Sequence, residues 1–357
     1  MKASLIPSNI LDSFMRGMVI PAMPLALTEN RRFDEKYQTA LVRYYIDAGA
    51  GGIAAGVHST QFEIRDPEFD LYEPVLALVS RTIDTYAAGP NGGLLKVAGV
   101  SGNTAQAAGE AELARDHGYH VGLVSLGALA DATLEGLLSH CSAIAAVIPV
   151  CGFYLQPAVG GRVLPYEFWR QFARIENVIA IKIAPFDRYQ TLDVVRGVSD
   201  SGREGEIALY TGNDDNIVVD LLTKFRMRNE NGVRTLRIRG GLLGHWGFWT
   251  KSAVDLLVRI HALTDDGDPI PAELLTVAAD ITDVNAAVFD PANGFKGCIS
   301  GIHEILHRQG LLRGIWCLNP DEKLSPGQSE EITRVNTAYP YLSDDDFVRE
   351  NLDRWLA

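Results

Sequence analysis

The sequence predicts an α/β fold, a (β/α)8 barrel followed by C-terminal helices, and three observations carry that expectation. From Gly17 onward, short apolar, β-branched runs alternate with longer stretches of helical spacing, the pattern of parallel βαβ units. Eight such pairs fit within about 250 residues, the size of one barrel. No G-x-G-x-x-G or G-x-x-x-x-G-K-[ST] loop follows the first run, so the phosphate-cradling turn of an open nucleotide-binding sheet is missing.

In order along the chain, strands are expected at residues 18–25, 52–57, 94–100, 120–125, 147–154, 178–183, 207–210 and 236–242, each bounded by Gly, Pro, Asn or Asp. Between them the apolar spacing predicts helices at 34–48, 67–87, 104–117, 131–145, 166–174, 189–198 and 214–224, with 250–263 after the eighth strand. Residues 1–263 then form the barrel with a short lead, and 264–357 a helical extension packed on it, closing with an acidic turn at 343–346 and a short helix at 347–356. The polar stretch 226–234 is expected to be a solvated loop before strand eight.

Composition narrows the function. Of 357 residues, 47% are hydrophobic and 22% charged, which suits a globular core. The 32 Lys+Arg against 45 Asp+Glu give a net charge of −13, the wrong sign for holding nucleic acid or anionic lipid. Cys141, Cys151, Cys298 and Cys317 form no C-x-x-C pair, which predicts reduced, core-filling thiols in a cytoplasmic protein. Residues 1–17 contain no apolar run, so neither a signal peptide nor a membrane span is expected.

One residue departs from the pattern of the sixth strand. Within residues 178–184, period-two alternation puts Ile179, Ile181 and Ile183 on one face and Ala180, Lys182 and Ala184 on the other. With the bulky side towards helices, Lys182 faces the barrel interior, where an unpaired ammonium is penalised unless its pKa falls. A neutral buried lysine forms Schiff bases with carbonyl substrates; alternatively Lys182 reaches water or an acidic partner at the strand end. Barrel active sites gather at the carboxyl ends of strands. Lys182 lies near one, as do His58, Ser59 and Thr60 after strand two, Tyr154 closing strand five, and Thr211-Gly212-Asn213 after strand seven.

These residues resemble the dihydrodipicolinate synthase and N-acetylneuraminate lyase superfamily of class I aldolases, from about Arg16 to Leu312. The resemblance lies in Gly17-Met-Val-Ile-Pro-Ala-Met-Pro24 and Ala98-Gly-Val-Ser-Gly-Asn-Thr104. Further along, Phe153-Tyr154-Leu-Gln-Pro157 stands where the family has Tyr-Asn-x-Pro, and Ala180-Ile-Lys182 where it has the Schiff-base lysine. Thr211-Gly-Asn-Asp-Asp215 replaces Ser-Gly-x-Asp, and Pro291-Ala-Asn-Gly-Phe-Lys296 resembles the Pro-x-Lys helix entry. The resemblance implies a cytoplasmic lyase, aldolase or hydro-lyase in which Lys182 forms an imine with pyruvate or another 2-oxo acid, Tyr154 relays protons, and no metal or organic cofactor takes part. It also implies a homo-oligomer, dimer or tetramer.

The departures are informative too. Gly56-Val-His-Ser-Thr-Gln61 replaces the Gly-Thr-Thr-Gly-Glu loop that holds the substrate carboxylate, leaving His58 and Ser59, with Thr60, as donors. Ser125-Leu-Gly-Ala128 replaces Pro-Tyr-Tyr, so the intersubunit tyrosine is absent and another reaction on a 2-oxo acid is favoured over dihydrodipicolinate synthesis. Arg162 is either a replacement anion binder or a solvated loop arginine. These changes keep open a vestigial, carboxylate-binding relative without turnover.

His303-Glu-Ile-Leu-His307 matches H-E-x-x-H, the pattern of a zinc metallopeptidase; the extended form needs a third ligand after Gly310, where Arg313 stands, and the other zincin arrangement would take a distant Glu330 or Glu331. His245, in Gly244-His-Trp-Gly247, is either a contact over the barrel mouth or part of an aromatic anchor for the helix after strand eight.

Overall fold

The computed structural model describes residues 1–87, 93–229 and 232–357. Its strands are β1 (Val19–Pro21), β2 (Gly52–Ala55), β3 (Leu95–Val100), β4 (Val121–Val124), β5 (Val150–Leu155), β6 (Val178–Ala184), β7 (Ala208–Thr211), β8 (Lys224–Asn229) and β9 (Gly232–Leu243). The helices are α1 (Ser8–Arg16), α2 (Glu35–Ala48), α3 (Tyr72–Tyr86), α4 (Thr104–Asp116), α5 (Leu134–Ala145), α6 (Tyr166–Phe172) and α7 (Arg188–Ser201). They continue as α8 (Ile217–Leu222), α9 (Thr250–Asp265), α10 (Glu273–Phe289), α11 (Cys298–Arg308), α12 (Gln328–Ala338) and α13 (Asp345–Leu356). Eight parallel strands and the helices that follow them make a (β/α)8 barrel, with further helices after it.

The chain divides into two compact units, Met1–Met18 with Leu95–Leu242, and Val19–Leu94 with Leu243–Ala357. In the first, the strands run in the order β3-β4-β5-β6-β7-β9. Side chains buried on both faces give these strands their near-continuous apolar runs, as a parallel sheet covered on both sides requires. Helix starts are fixed by side chains that accept otherwise unpaired backbone N–H groups: Asn103 from Gln106, Thr133 from Gly136, and Asp187 from Gln190. Gly17, at φ +104°, lets the chain cross β9; a Cβ there would lie 2.2 Å from the Arg239 carbonyl oxygen.

The second unit holds β1, β2 and the helical layers. A parallel bridge joins Ala22 to Ala54. Helix α2 begins on Asp34, whose carboxylate accepts from Tyr37 N and pairs with Arg313 at 3.0 Å. Helix α13 docks on α2 through Tyr44 Oη donating to Asp344 (2.7 Å) and Trp355 Nε1 donating to Asp47 (2.6 Å), with the Trp355 ring fully buried. The Gln328 amide donates to Val288 O and Gly297 O, both at 3.0 Å, tying α12 to the chain around α10 and α11.

Two stretches differ from the sequence expectation. The segment 226–234, expected as a loop, is largely an antiparallel hairpin of β8 with β9, in which Lys224 opposes Arg237 and Asn229 opposes Gly232; residues 230 and 231 lie outside the described residues. The reason is the alternation Lys-Phe-Arg-Met-Arg, which turns Phe225 and Met227 to the less exposed side of β8 and the cations to solvent. Helix α8 accordingly ends at Leu222 instead of reaching residue 224.

Candidate active site around Lys182

Lys182 is near the end of β6, on the sheet face away from the helices, and is 7% exposed. Its neighbours in register are Phe153 on β5 and Tyr210 on β7. The Phe153 ring centroid lies 4.2 Å from Nζ, a cation–π contact. Gly212, after β7, lies against the lysine stem: a Cβ there would sit 2.7 Å from Lys182 Cε and 2.8 Å from Ala184 Cβ, so only glycine leaves the stem in place. Burial pushes the ammonium down to about 8, opposed by the charge of Asp214 and by Cys151. At that value an appreciable share of the amine is neutral, and therefore nucleophilic, near neutral pH.

Tyr154 is not beside this lysine. It is in register with Ile183, and its ring packs on Trp169 of α6, the centroids 5.1 Å apart. Its hydroxyl donates to Gln190 Oε1 (2.6 Å) on α7 and accepts from Leu164 N (3.1 Å). The cause is a register shift between Val150 and Cys151: Val150 pairs with Val178, but Cys151 pairs with Ala180. One extra residue in β6 moves the lysine by one position against β5, and with a side-chain period of two that exchanges Tyr154 for Phe153 on its face.

Thr211 also points outward. Its hydroxyl donates to Asp220 Oδ2 (2.8 Å), which further accepts from Asn213 Nδ2 (2.9 Å), while Asp220 Oδ1 accepts from Asn216 Nδ2 (3.0 Å) and from Arg188 Nη1 (2.5 Å). The Asn213 side-chain oxygen accepts from Phe186 N (3.0 Å). This network fixes the turn that presents Gly212 to Lys182.

In the second unit, His58, Ser59 and Thr60 form a single 3-10 turn. Ser59 Oγ donates to Ala22 O (2.8 Å) and Thr60 Oγ1 donates to Met23 O (2.7 Å), so both hydroxyl protons are directed to the chain at and just after β1. His58 is half-buried, its ring centroid 5.9 Å from that of Phe62. Thr60→Val is expected to lower stability by about 1 kcal/mol, the net value of one buried hydrogen bond, read as the shift in a urea-unfolding midpoint. An unchanged midpoint would deny the bond a structural role.

Of the other residues singled out, Arg162 donates to the carbonyls of Leu129 and Ala132. His245 Nδ1 lies 2.7 Å from Asn285 Oδ1, its ring is edge-on to Phe248 and Trp249, and burial pushes it down to about 4; it is built into the aromatic anchor. His303 is fully buried with Nδ1 3.9 Å from Cys317 Sγ, whereas His307 is exposed and Glu304 is paired with Arg308. The convergent imidazoles of a zinc peptidase are therefore not formed, and among the described residues no three His, Cys, Asp or Glu side chains cluster as a metal-binding set. Sequence reasoning gave no role to Phe153 or to Asp214, although Asp214 stands at the aspartate of the Ser-Gly-x-Asp match after β7.

The site so described is a buried lysine near the end of the sixth strand of a (β/α)8 barrel. The chain belongs to the dihydrodipicolinate synthetase family, whose model matches residues 15–223, more than half its length. Solved structures with the same fold include chloride-inhibited dihydrodipicolinate synthase from Acinetobacter baumannii complexed with pyruvate (19% identity, 91% of this chain and 98% of that one, TM-score 0.70). A prophage protein of the dihydrodipicolinic acid synthase family from E. coli K12, also complexed with pyruvate, matches at 18% identity over 92% and 99% of the two chains, TM-score 0.70. N-acetylneuraminate lyase from Fusobacterium nucleatum matches at 16% identity over 92% and 99%, TM-score 0.69. A search of curated proteins finds none that matches. Membership of this family supports a class I aldolase or lyase. Among the described residues no helix is long and apolar enough to cross a membrane.

Proposed function

We propose that the protein is a class I lyase in which Lys182 forms a Schiff base with pyruvate or another 2-oxo acid. The observation that carries this reading is the buried lysine, 7% exposed, its ammonium pushed down to about 8 by loss of solvent. The pyruvate complexes of the Acinetobacter and E. coli proteins support the substrate class. The imine converts the carbonyl carbon into an electron sink, so a bond at the neighbouring carbon can break or form. A cytoplasmic homo-oligomer, dimer or tetramer, working without a cofactor, is part of the same proposal.

Incubation with pyruvate followed by borohydride is expected to leave a carboxyethyl group on Lys182, located by peptide mass mapping. Because only the neutral amine attacks, the trapping rate should climb as pH rises to about 8 and level off above it. An unmodified Lys182 after treatment with a panel of 2-oxo acids would overturn the proposal.

A further inference from the structure

We propose that the cavity at the amino-terminal ends of β7 and β9 is a binding site for a small multivalent oxyanion, a polycarboxylate or a phosphate-bearing molecule. The site is separate from the lysine. Lys182 lies towards the carboxyl end of β6 and does not line the cavity, so the inference stands whether or not the Schiff-base reading holds.

The cavity has a volume of about 580 Å³, within the usual range of a small-molecule site, and lies wholly in the first unit. Its charged wall is Asp12 and Arg16 from α1, Glu204 from the turn before β7, and Arg237 and Arg239 from β9. Glu204 is engaged by Arg234 at 3.1 Å. What remains is three guanidiniums facing one carboxylate, in a chain whose net charge is −13. Arginine suits this task because its planar fork donates paired N–H bonds to the oxygens of a carboxylate or phosphate.

Local structure brings the three arginines together. Where β7 steps from Leu209 to Tyr210, its partner on β9 steps from Ile238 to Gly240, so Arg239 is an extra residue at a bulge, a device that re-aims a side chain. Gly17 lies against the Arg239 backbone with no room for a Cβ, which carries the preceding residue, Arg16, to the bulge. Arg237 Nη2 donates to Leu221 O (3.3 Å), holding that guanidinium in place. The hairpin is also charged in a way that sheets avoid. Lys224 stands directly opposite Arg237, and Arg226 opposite Thr235, so three cations share one face of the ribbon. Like charges directly opposite destabilise a strand pair, and a bound anion relieves that repulsion. Both β9 arginines lie beyond residues 15–223, the stretch that the family model matches.

Calorimetric titration of the full-length protein with citrate and, separately, with pyrophosphate tests the site. At least one probe should bind once per chain: citrate alone would mark a polycarboxylate site, pyrophosphate alone a phosphate site, and both a site that reads only charge and oxygens. Arg16→Gln and Arg237→Gln should each weaken that binding about 10- to 100-fold, the range for a hydrogen bond to a charged group. Asp12→Asn should tighten it about two- to fivefold by removing the opposing carboxylate. Arg228→Gln takes the same charge from the exposed end of β8, outside the cavity, and should stay within about twofold of the parent. Lys182→Met should bind as the parent does. Arg16 is on the exposed side of α1, outside the sheet, so its variant still reports if Arg237→Gln, which loses the bond to Leu221, fails to fold. Binding of neither probe, or equal weakening by Arg228→Gln and Arg16→Gln, would overturn the proposal. Loss of binding in Lys182→Met would overturn it too, by placing the anion at the lysine.

Discussion

Lys182→Met is expected to do two things at once: to form no borohydride-stable adduct, and to resist urea better than the parent near neutral pH. The first follows from removing the amine to which the proposal assigns the imine. The second follows from what it costs to keep an ammonium on the inner face of β6. In the unfolded chain this lysine has its ordinary value of 10.5; in the folded chain burial lowers it to about 8. The unfolded state therefore binds more protons between those two values, and stability attributable to this group rises with pH through that window. Below pH 8 the whole penalty is present, about 3 kcal/mol for a shift of this size; above 10.5 it is gone. Methionine has a similar unbranched stem, carries no charge, and places its sulfur by the Phe153 ring, a favourable contact. Its advantage over the parent should be largest near pH 7 and shrink towards pH 10. A variant less stable than the parent across that range would mean that contacts of the ammonium outweigh its burial. Such a trade is expected at functional sites, where local rules of burial are broken for the sake of chemistry.

What could be read from the sequence follows from periodicity. The alternation in residues 178–184 puts Lys182 opposite three isoleucines, and the folded strand has the lysine on the face away from the helices. The βα alternation likewise foretold eight parallel strands. Periodicity does not report where a strand gains a residue, however. The shift at Val150/Cys151 leaves no mark in composition, because every residue of β5 and β6 is buried and neither face looks polar. It is that shift which separates Tyr154 from Lys182. The hydroxyls of Ser59 and Thr60 show a second kind of limit: a short polar loop reads as a ligand site, but the chain at and just after β1 offers carbonyls that need donors. The hairpin at β8 and β9 was hidden for a third reason, since an exposed ribbon built of arginine and lysine has the composition of a loop and only its alternation marks it as strand.

Asp220→Ala should have the largest effect on stability, about 3–5 kcal/mol, the cost of removing one partner from a buried charged network. Asp220 is 1% exposed and accepts hydrogen bonds from Arg188, Thr211, Asn213 and Asn216. The Arg188 pair alone does not explain so large a value, because that guanidinium side chain is 41% exposed and water screens it. The Thr211 hydroxyl and the Asn213 amide do, since both residues are fully buried and would be left with donors unpaired. Asp220→Asn keeps one acceptor oxygen and should fall between alanine and the parent in a urea midpoint series. The same substitution reaches the lysine through the chain: Thr211 and Asn213 flank Gly212, so loosening them lets the glycine move off the Lys182 stem. Asp220→Ala should therefore slow borohydride trapping even at temperatures where it remains folded, and at a given pH the slowing should exceed that of Asp220→Asn. An alanine variant within about 1 kcal/mol of the parent, trapped at the parent rate, would show that the turn after β7 is held by its backbone and not by this carboxylate.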